Sequence, residues 1–217
     1  MTTDSPASVK EVLEQARNTS QQIDLLSRLL EEDRGAAAFK DCIAVLEELK
    51  QVSRKRSTLP FRTVCFLKRL SEQQGDGDIA TLRQNAEHLL HEIGRIDVPT
   101  VLTKNEEKCL LEWLADPYLG WPSAEAVVKS QEHRADISHT TSIAHFLCGR
   151  ALECGFRRRN ERLNALEALA GLVEMFGDEI LTDTELEDLY EIKSGLLRFL
   201  WGRQTVDCVE RIFAQIE

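Results

Sequence analysis

The sequence predicts an all-α protein, either an irregular multi-helix bundle or a short HEAT-like α-α stack of roughly nine or ten helices. Three observations lead there. Between breakers, apolar residues recur at three- and four-residue intervals, the period of a helix with one buried face. No stretch shows four or more residues of apolar/polar alternation rich in β-branched side chains, the pattern of a half-buried strand. Only 5 prolines and 11 glycines interrupt 217 residues, and the segments between them are filled with Leu, Glu, Ala and Arg, all good helix formers. Helix pairs recur about every forty residues, a spacing shared by helical repeat arrays, but no sequence repeat accompanies it.

After Ser5-Pro6, the residues Val9, Val12, Ala16, Thr19, Ile23, Leu26 and Leu30 keep a seven-residue repeat over about three heptads. They predict a long helix or hairpin arm ending at Gly35, with Asn18 to Ser20 as an internal break. Phe39, Cys42, Leu46 and Leu49 stripe a second helix, which runs into Arg54-Lys55-Arg56-Ser57. Pro60 opens a third, because proline in a first turn forfeits no intrahelical hydrogen bond; Val64, Leu67 and Leu70 are its inner face. Gly75-Asp76-Gly77 ends it, and Asp78 is the expected N-cap of a fourth helix carrying Ile79, Leu82, Ala86, Leu89 and Ile93.

Asp97-Val98-Pro99 is the next break. Thr103 and Glu106 have capping-box spacing ahead of Cys109, Leu110, Trp113 and Leu114. The connector DPYLGWP follows, and Ser123 is expected to start a short helix through Val127 and Val128. Ser138 caps another with Ile143, Phe146, Leu147 and Ala151, stopped by Gly155; Leu163, Leu166, Leu169, Val173 and Phe176 stripe a longer one that stops at Gly177. A second capping box, Thr182 with Glu185, leads Leu186, Leu189, Leu196, Leu197 and Leu200. A last helix begins near Thr205 with Val206, Val209, Phe213 and Ile216 on one side. Connectors this short imply antiparallel neighbours. Residues 1–217 therefore read as a single helical domain, with 5–56 as a hairpin arm able to pair with a second copy. Ending on Gln215-Ile216-Glu217 in mid-helix is the pattern of a part excised from a longer chain.

A hydrophobic share of 42% and a charged share of 29% are those of a globular protein with enough apolar surface for its own core. The N-terminus lacks a basic flank followed by an apolar core, and no window has eighteen uninterrupted apolar residues, so neither export nor a membrane span is expected. A cytoplasmic or nuclear setting follows. Cysteines at 42, 65, 109, 148, 154 and 208 contain no CxxC pair and read as small core residues. The net charge of −10 is uneven. Residues 51–71 hold Arg54, Lys55, Arg56, Arg62, Lys68 and Arg69 and no acid, whereas residues 178–191 hold seven acids and no Lys or Arg. Such a dipole can orient partners or copies.

Catalytic motifs are not matched. EHLLHE places His88 and His91 three apart with the glutamates outside, one residue short of a zinc-peptidase helix. His139, His145, Cys148 and Cys154 are metal-ligand types, but 145 and 148 share a face with an apolar stripe, so neither metal nor cofactor is expected. GDGD lacks the lysine and hydroxyl of a phosphate loop, and DEILTDTELEDL lacks the glycine of a calcium loop. The cysteines have apolar neighbours, which disfavour the thiolate.

The expected partner-binding residues are therefore of two kinds. Tyr118, Leu119 and Trp121 put large apolar groups in a connector, where they either plug a wedge between helices or anchor a partner. Arg157, Arg158 and Arg159 stand at a helix beginning, against the dipole, and Arg54, Lys55 and Arg56 at a helix end, with it. Trp201, beside Gly202, reads as filling a kink. The expected function is a non-enzymatic interaction module, an adaptor or scaffold subunit that holds an acidic or amphipathic segment against an apolar helical surface flanked by arginines. The alternative is a nucleic-acid-binding subunit using clusters 54–69 and 157–162, against which a pI near 5.1 argues.

Overall fold

The computed structural model describes residues 9–32, 39–53, 57–132, 134, 136–154, 158–194 and 201–216. Among them stand eleven α-helices and one pair of short strands, so the protein is all-α in substance. No helix among the described residues is long and apolar enough to cross a membrane. The contacts divide the chain into two compact units, Met1–Asp97 and Val98–Glu217, at the Asp97-Val98-Pro99 break.

In the first unit, α1 (Val9–Glu14) and α2 (Thr19–Glu32) divide the first segment at the break expected from Asn18 to Ser20. Asn18 is the reason. Its Oδ1 accepts from the Gln21 backbone N–H at 3.0 Å, while Gln21 Oε1 accepts from the Arg17 N–H at 2.7 Å, an arrangement that starts a helix afresh. This split raises the helix number above the expected nine or ten. Next come α3 (Phe39–Val52), β1 (Ser57–Pro60), α4 (Phe61–Ser71), α5 (Asp78–Glu92) and β2 (Ile93–Asp97). Leu26, Leu30, Leu46, Leu49, Val64, Leu67, Leu82 and Leu89 close the core between the helices.

The strands pair in parallel, a feature absent from the sequence reading. Ser57 faces Ile93, but Thr58 faces Arg95, so Gly94 is an extra residue on β2. The bulge lets Ile93 and Ile96 both turn inward, at a spacing of three that mimics continued helix, so Ile93 belongs to β2 and not to α5. Two N-termini are also shifted by one residue. Phe61 rather than Pro60 begins α4, and Gly77 rather than Asp78 precedes α5, its φ of 63° being one that glycine adopts without strain.

Among its described residues the second unit contains α6 (Lys104–Trp113), α7 (Gly120–Gln131), α8 (Ile137–Glu153), α9 (Arg159–Phe176), a 3-10 turn (Asp178–Ile180), α10 (Asp183–Ser194) and α11 (Arg203–Phe213). Helix α9 is the hub and packs against α7, α8 and α11. It is apolar nearly all round, burying Ala165, Leu166, Ala168, Leu169, Ala170, Leu172 and Val173, as a central helix must. Small residues bring its neighbours close: a Cβ on Gly171 would lie 2.8 Å from Val128 Cγ2 of α7. Both capping boxes form. Thr103 accepts from the Glu106 N–H and Glu106 from the Thr103 N–H at 2.8 Å; Thr182 and Glu185 repeat the exchange at 3.3 and 2.9 Å. Asp136, not Ser138, caps α8, its Oδ1 accepting the Ser138 N–H at 3.0 Å.

Candidate functional site

The connector before α7 is a tight turn built on Asp116. Its Oδ1 accepts from the backbone N–H groups of Tyr118 at 2.9 Å and Leu119 at 3.0 Å, the local bonding that suits aspartate to turns. The chain is helical from Gly120, three residues before Ser123, because Pro122 lies in the first turn where its missing N–H costs nothing. Trp121 therefore belongs to a helix. The three connector side chains separate: Leu119 is fully buried, whereas Tyr118 and Trp121 are 48% and 58% exposed. Leu119 is a core residue and leaves the set of partner-binding candidates. Its neighbours remain in it.

Trp121, Ala124 and Val128 follow one another along α7 at helical spacing and form the apolar wall of an open groove of about 330 Å³. Glu167 of α9 closes the other side, and Glu125, Lys129 and Glu132 supply the charged border. Glu167 is held in place from α11. Its Oε2 accepts from Arg211 Nη1 at 2.7 Å and its Oε1 from the Cys208 thiol at 3.1 Å. A second guanidinium nitrogen of Arg211 donates to Glu174 at 2.9 Å, and these two bonds, Glu174 first, hold the guanidinium above its ordinary pKa.

The arginine set is arranged differently from its sequence reading. Arg54, Lys55, Arg56 and Arg157 lie outside the described residues. Arg158 and Arg159 are exposed, but Arg158 stands 3.7 Å from Glu161 and Arg159 donates to Gln204 at 3.0 Å. Glu161, buried in the first turn of α9, is also paired with Arg150 at 2.6 Å. This carboxylate accounts for cations at a helix beginning, since it suits the dipole and balances them. Arg162 is 2% exposed, donates to the Cys154 carbonyl, and lies 4.5 Å above the Trp201 ring. Trp201 is thus a platform for a buried cation.

Two histidines pair with carboxylates on other helices. His139 Nε2 meets Glu107 Oε2 at 2.8 Å, and His145 Nδ1 meets Glu185 Oε1 at 2.7 Å. His145 with Glu185, one turn from Cys148, has the residue types of a nucleophilic triad. Cys148 is fully buried, however, and burial, with Glu185 and Asp188 nearby, pushes its thiol up to about 12. Such a thiol is no nucleophile at neutral pH. Burial and Glu167 push Cys208 up to about 12 as well. No group of three or more metal-ligand types converges among the described residues.

Glu185 gives a pH-dependent prediction. Burial raises its pKa, but hydrogen bonds from Thr182 and His145 outweigh burial and hold it below the ordinary 4.5. A carboxylate depressed on folding stabilises the folded state above its ordinary pKa, and that stabilisation is lost as pH falls through the folded value. Glu185→Gln is expected to cost about 1 kcal/mol at pH 7. The cost should shrink below pH 4.5, checked by thermal melts of both proteins across the acid range. An equal cost at all pH values would contradict the assignment.

No protein family matches the chain, and neither a curated protein nor a solved structure is significantly similar to it. Sequence reasoning missed Glu167 and Arg211. The spacing of Trp121, Ala124 and Val128 was a local signal for the α7 wall, but nothing in one sequence pairs that wall with α9.

Proposed function

We propose that the protein is a non-enzymatic interaction module, an adaptor or scaffold subunit of a cytoplasmic or nuclear complex, that takes a partner segment against the Trp121 groove. One observation supports this above the others: Trp121 is 58% exposed beside the groove it lines, while Leu119, two residues earlier, is fully buried. A large aromatic kept out of the core on a rigid helix is the kind of residue that anchors interfaces. The groove volume of about 330 Å³ is at the low end for small-molecule sites and suits one or two anchoring side chains. Free thiols, six in all, fit a reducing compartment.

Affinity capture from the native host, with proteins quantified for wild type, Trp121→Ala and Arg158→Glu, tests the reading. Trp121→Ala is expected to weaken retention of a discrete partner about tenfold or more. Arg158→Glu should leave it in place, because Arg158 is already directed to Glu161. A partner list unchanged in Trp121→Ala would overturn the proposal.

A further inference from the structure

We infer that α4 docks helix α10 of a second copy of this chain, head to tail, through residues other than those of the Trp121 groove. Arg62, Phe66 and Arg69 stand at i, i+4 and i+7 of α4 and so share one side, opposite the core residues Val64 and Leu67. Both arginines are exposed, Phe66 is half-buried between them, and neither arginine reaches an acidic side chain among the described residues. The closest candidates do not serve: Glu72 turns to Lys68 at 3.8 Å, and Asp97, level with Pro60 on β2, forms no ion pair among the described residues. Arg62 also stands in the first turn, where a cation opposes the helix dipole, with no acid in that turn and no side-chain cap at Pro60. At the start of α9 the same conflict is answered within the chain by Glu161. At α4 a carboxylate from outside would answer it.

Helix α10 carries the complementary pattern. Asp183, Glu187 and Glu191 follow one another at intervals of four, all exposed, and none forms an ion pair among the described residues. Tyr190, 53% exposed, lies on the same side, away from the buried Leu189 and Ile192. At 1.5 Å per residue, Arg62 and Arg69 are about 10.5 Å apart along their axis, and Asp183 and Glu191 about 12 Å along theirs. Laid antiparallel, the two helices bring Glu191 to Arg62 and Asp183 to Arg69, with Tyr190 between Arg62 and Phe66. Exposed ion pairs are individually weak, so the association is modest and sensitive to salt. Two different faces of one chain make a heterologous contact, which closes into a ring or runs on as an open array. Nucleic acid could use the same arginines, but the net charge of −10 opposes it, whereas α10 supplies matched carboxylates from the chain itself.

Sedimentation and light scattering of the full chain, from dilute solution to about 200 μM, test the contact at about 0.05 M and about 0.5 M salt. The wild-type mass is expected to climb above the 24.6 kDa of one chain at low salt and to fall back at high salt. Arg62→Glu/Arg69→Glu and Glu187→Lys/Glu191→Lys should each associate about tenfold or more weakly than wild type, and an equimolar mixture of the two should recover complexes containing both. Trp121→Ala should associate as wild type does. Neither charge-reversed protein should unfold earlier than wild type, because Arg62→Glu puts an acid at a helix beginning and Glu191→Lys a cation in a last turn. Wild type that stays monomeric at every concentration and salt, reversed variants that associate like wild type, or a mixture that stays monomeric would each overturn the proposal. So would a short RNA that binds wild type, but not Arg62→Glu/Arg69→Glu, while every protein remains monomeric.

Discussion

Gly120→Ala is expected to destabilise the second unit by about 3 kcal/mol, the combined cost of overpacking and a strained buried hydrogen bond. A Cβ on Gly120 would lie 2.1 Å from Asn164 Nδ2 and 2.9 Å from the Leu114 carbonyl oxygen. Those two atoms are bonded to each other at 2.9 Å, tying α9 to the chain between α6 and α7. Asn164 is 8% exposed, so a displaced amide has little access to solvent. Leu114 is backbone and cannot rotate away. The added methyl group must therefore break the bond or push α7 off α9, and it would shift Trp121 with it. Gly149→Ala is the matched control: nothing lies within 4 Å of its added Cβ in the middle of α8. It should gain about 0.5–1 kcal/mol from helix propensity. Urea midpoints of the two variants should move in opposite directions; a Gly120→Ala midpoint equal to wild type would show that the close approach carries no cost.

Removing the Glu107 carboxylate is the second large effect. Glu107, 6% exposed on α6, accepts from His139 at 2.8 Å, stands 3.2 Å from Arg134, and accepts from Gln131 Nε2 at 3.2 Å. Gln131 is fully buried and in turn accepts from Thr140 at 3.3 Å, so one carboxylate organises α6, α7 and α8 together. Glu107→Ala leaves the Gln131 amide and two nitrogen-bearing side chains without this acceptor, and is expected to cost about 3 kcal/mol. Glu107→Gln keeps the shape and an acceptor oxygen, and should cost about half as much. If the two variants unfolded at the same urea concentration as wild type, the network would not be organising the helices.

How much of this was legible in the sequence depended on range. Thr103-x-x-Glu106 and Thr182-x-x-Glu185 were readable because a capping box closes within one turn. The helical stripes were readable because burial imposes a period on neighbours. The strands were not: Ser57–Pro60 is four residues long, and the Gly94 bulge gives Ile93 and Ile96 a helical spacing. Pro122 was read as a breaker when it lies in a first turn. The candidate site suffered most, because its meaning is set by residues far apart in the chain. Arg162 looked like one more surface cation, yet Trp201 and the Cys154 carbonyl bury it. Arg158 was legible as an exposed cation, but its contact with Glu161 at 3.7 Å was not. The groove itself exists only because Gly171 admits Val128, bringing α7 against α9.

Position-specific photo-crosslinking tests the docking claim most directly. With a photoreactive phenylalanine derivative in place of Trp121, irradiation in the native host should yield discrete adducts with a partner segment that carries an apolar side chain. The same derivative in place of Glu112, exposed on α6, should yield none of them. Adducts identical at the two positions, or none above background at position 121, would contradict the account.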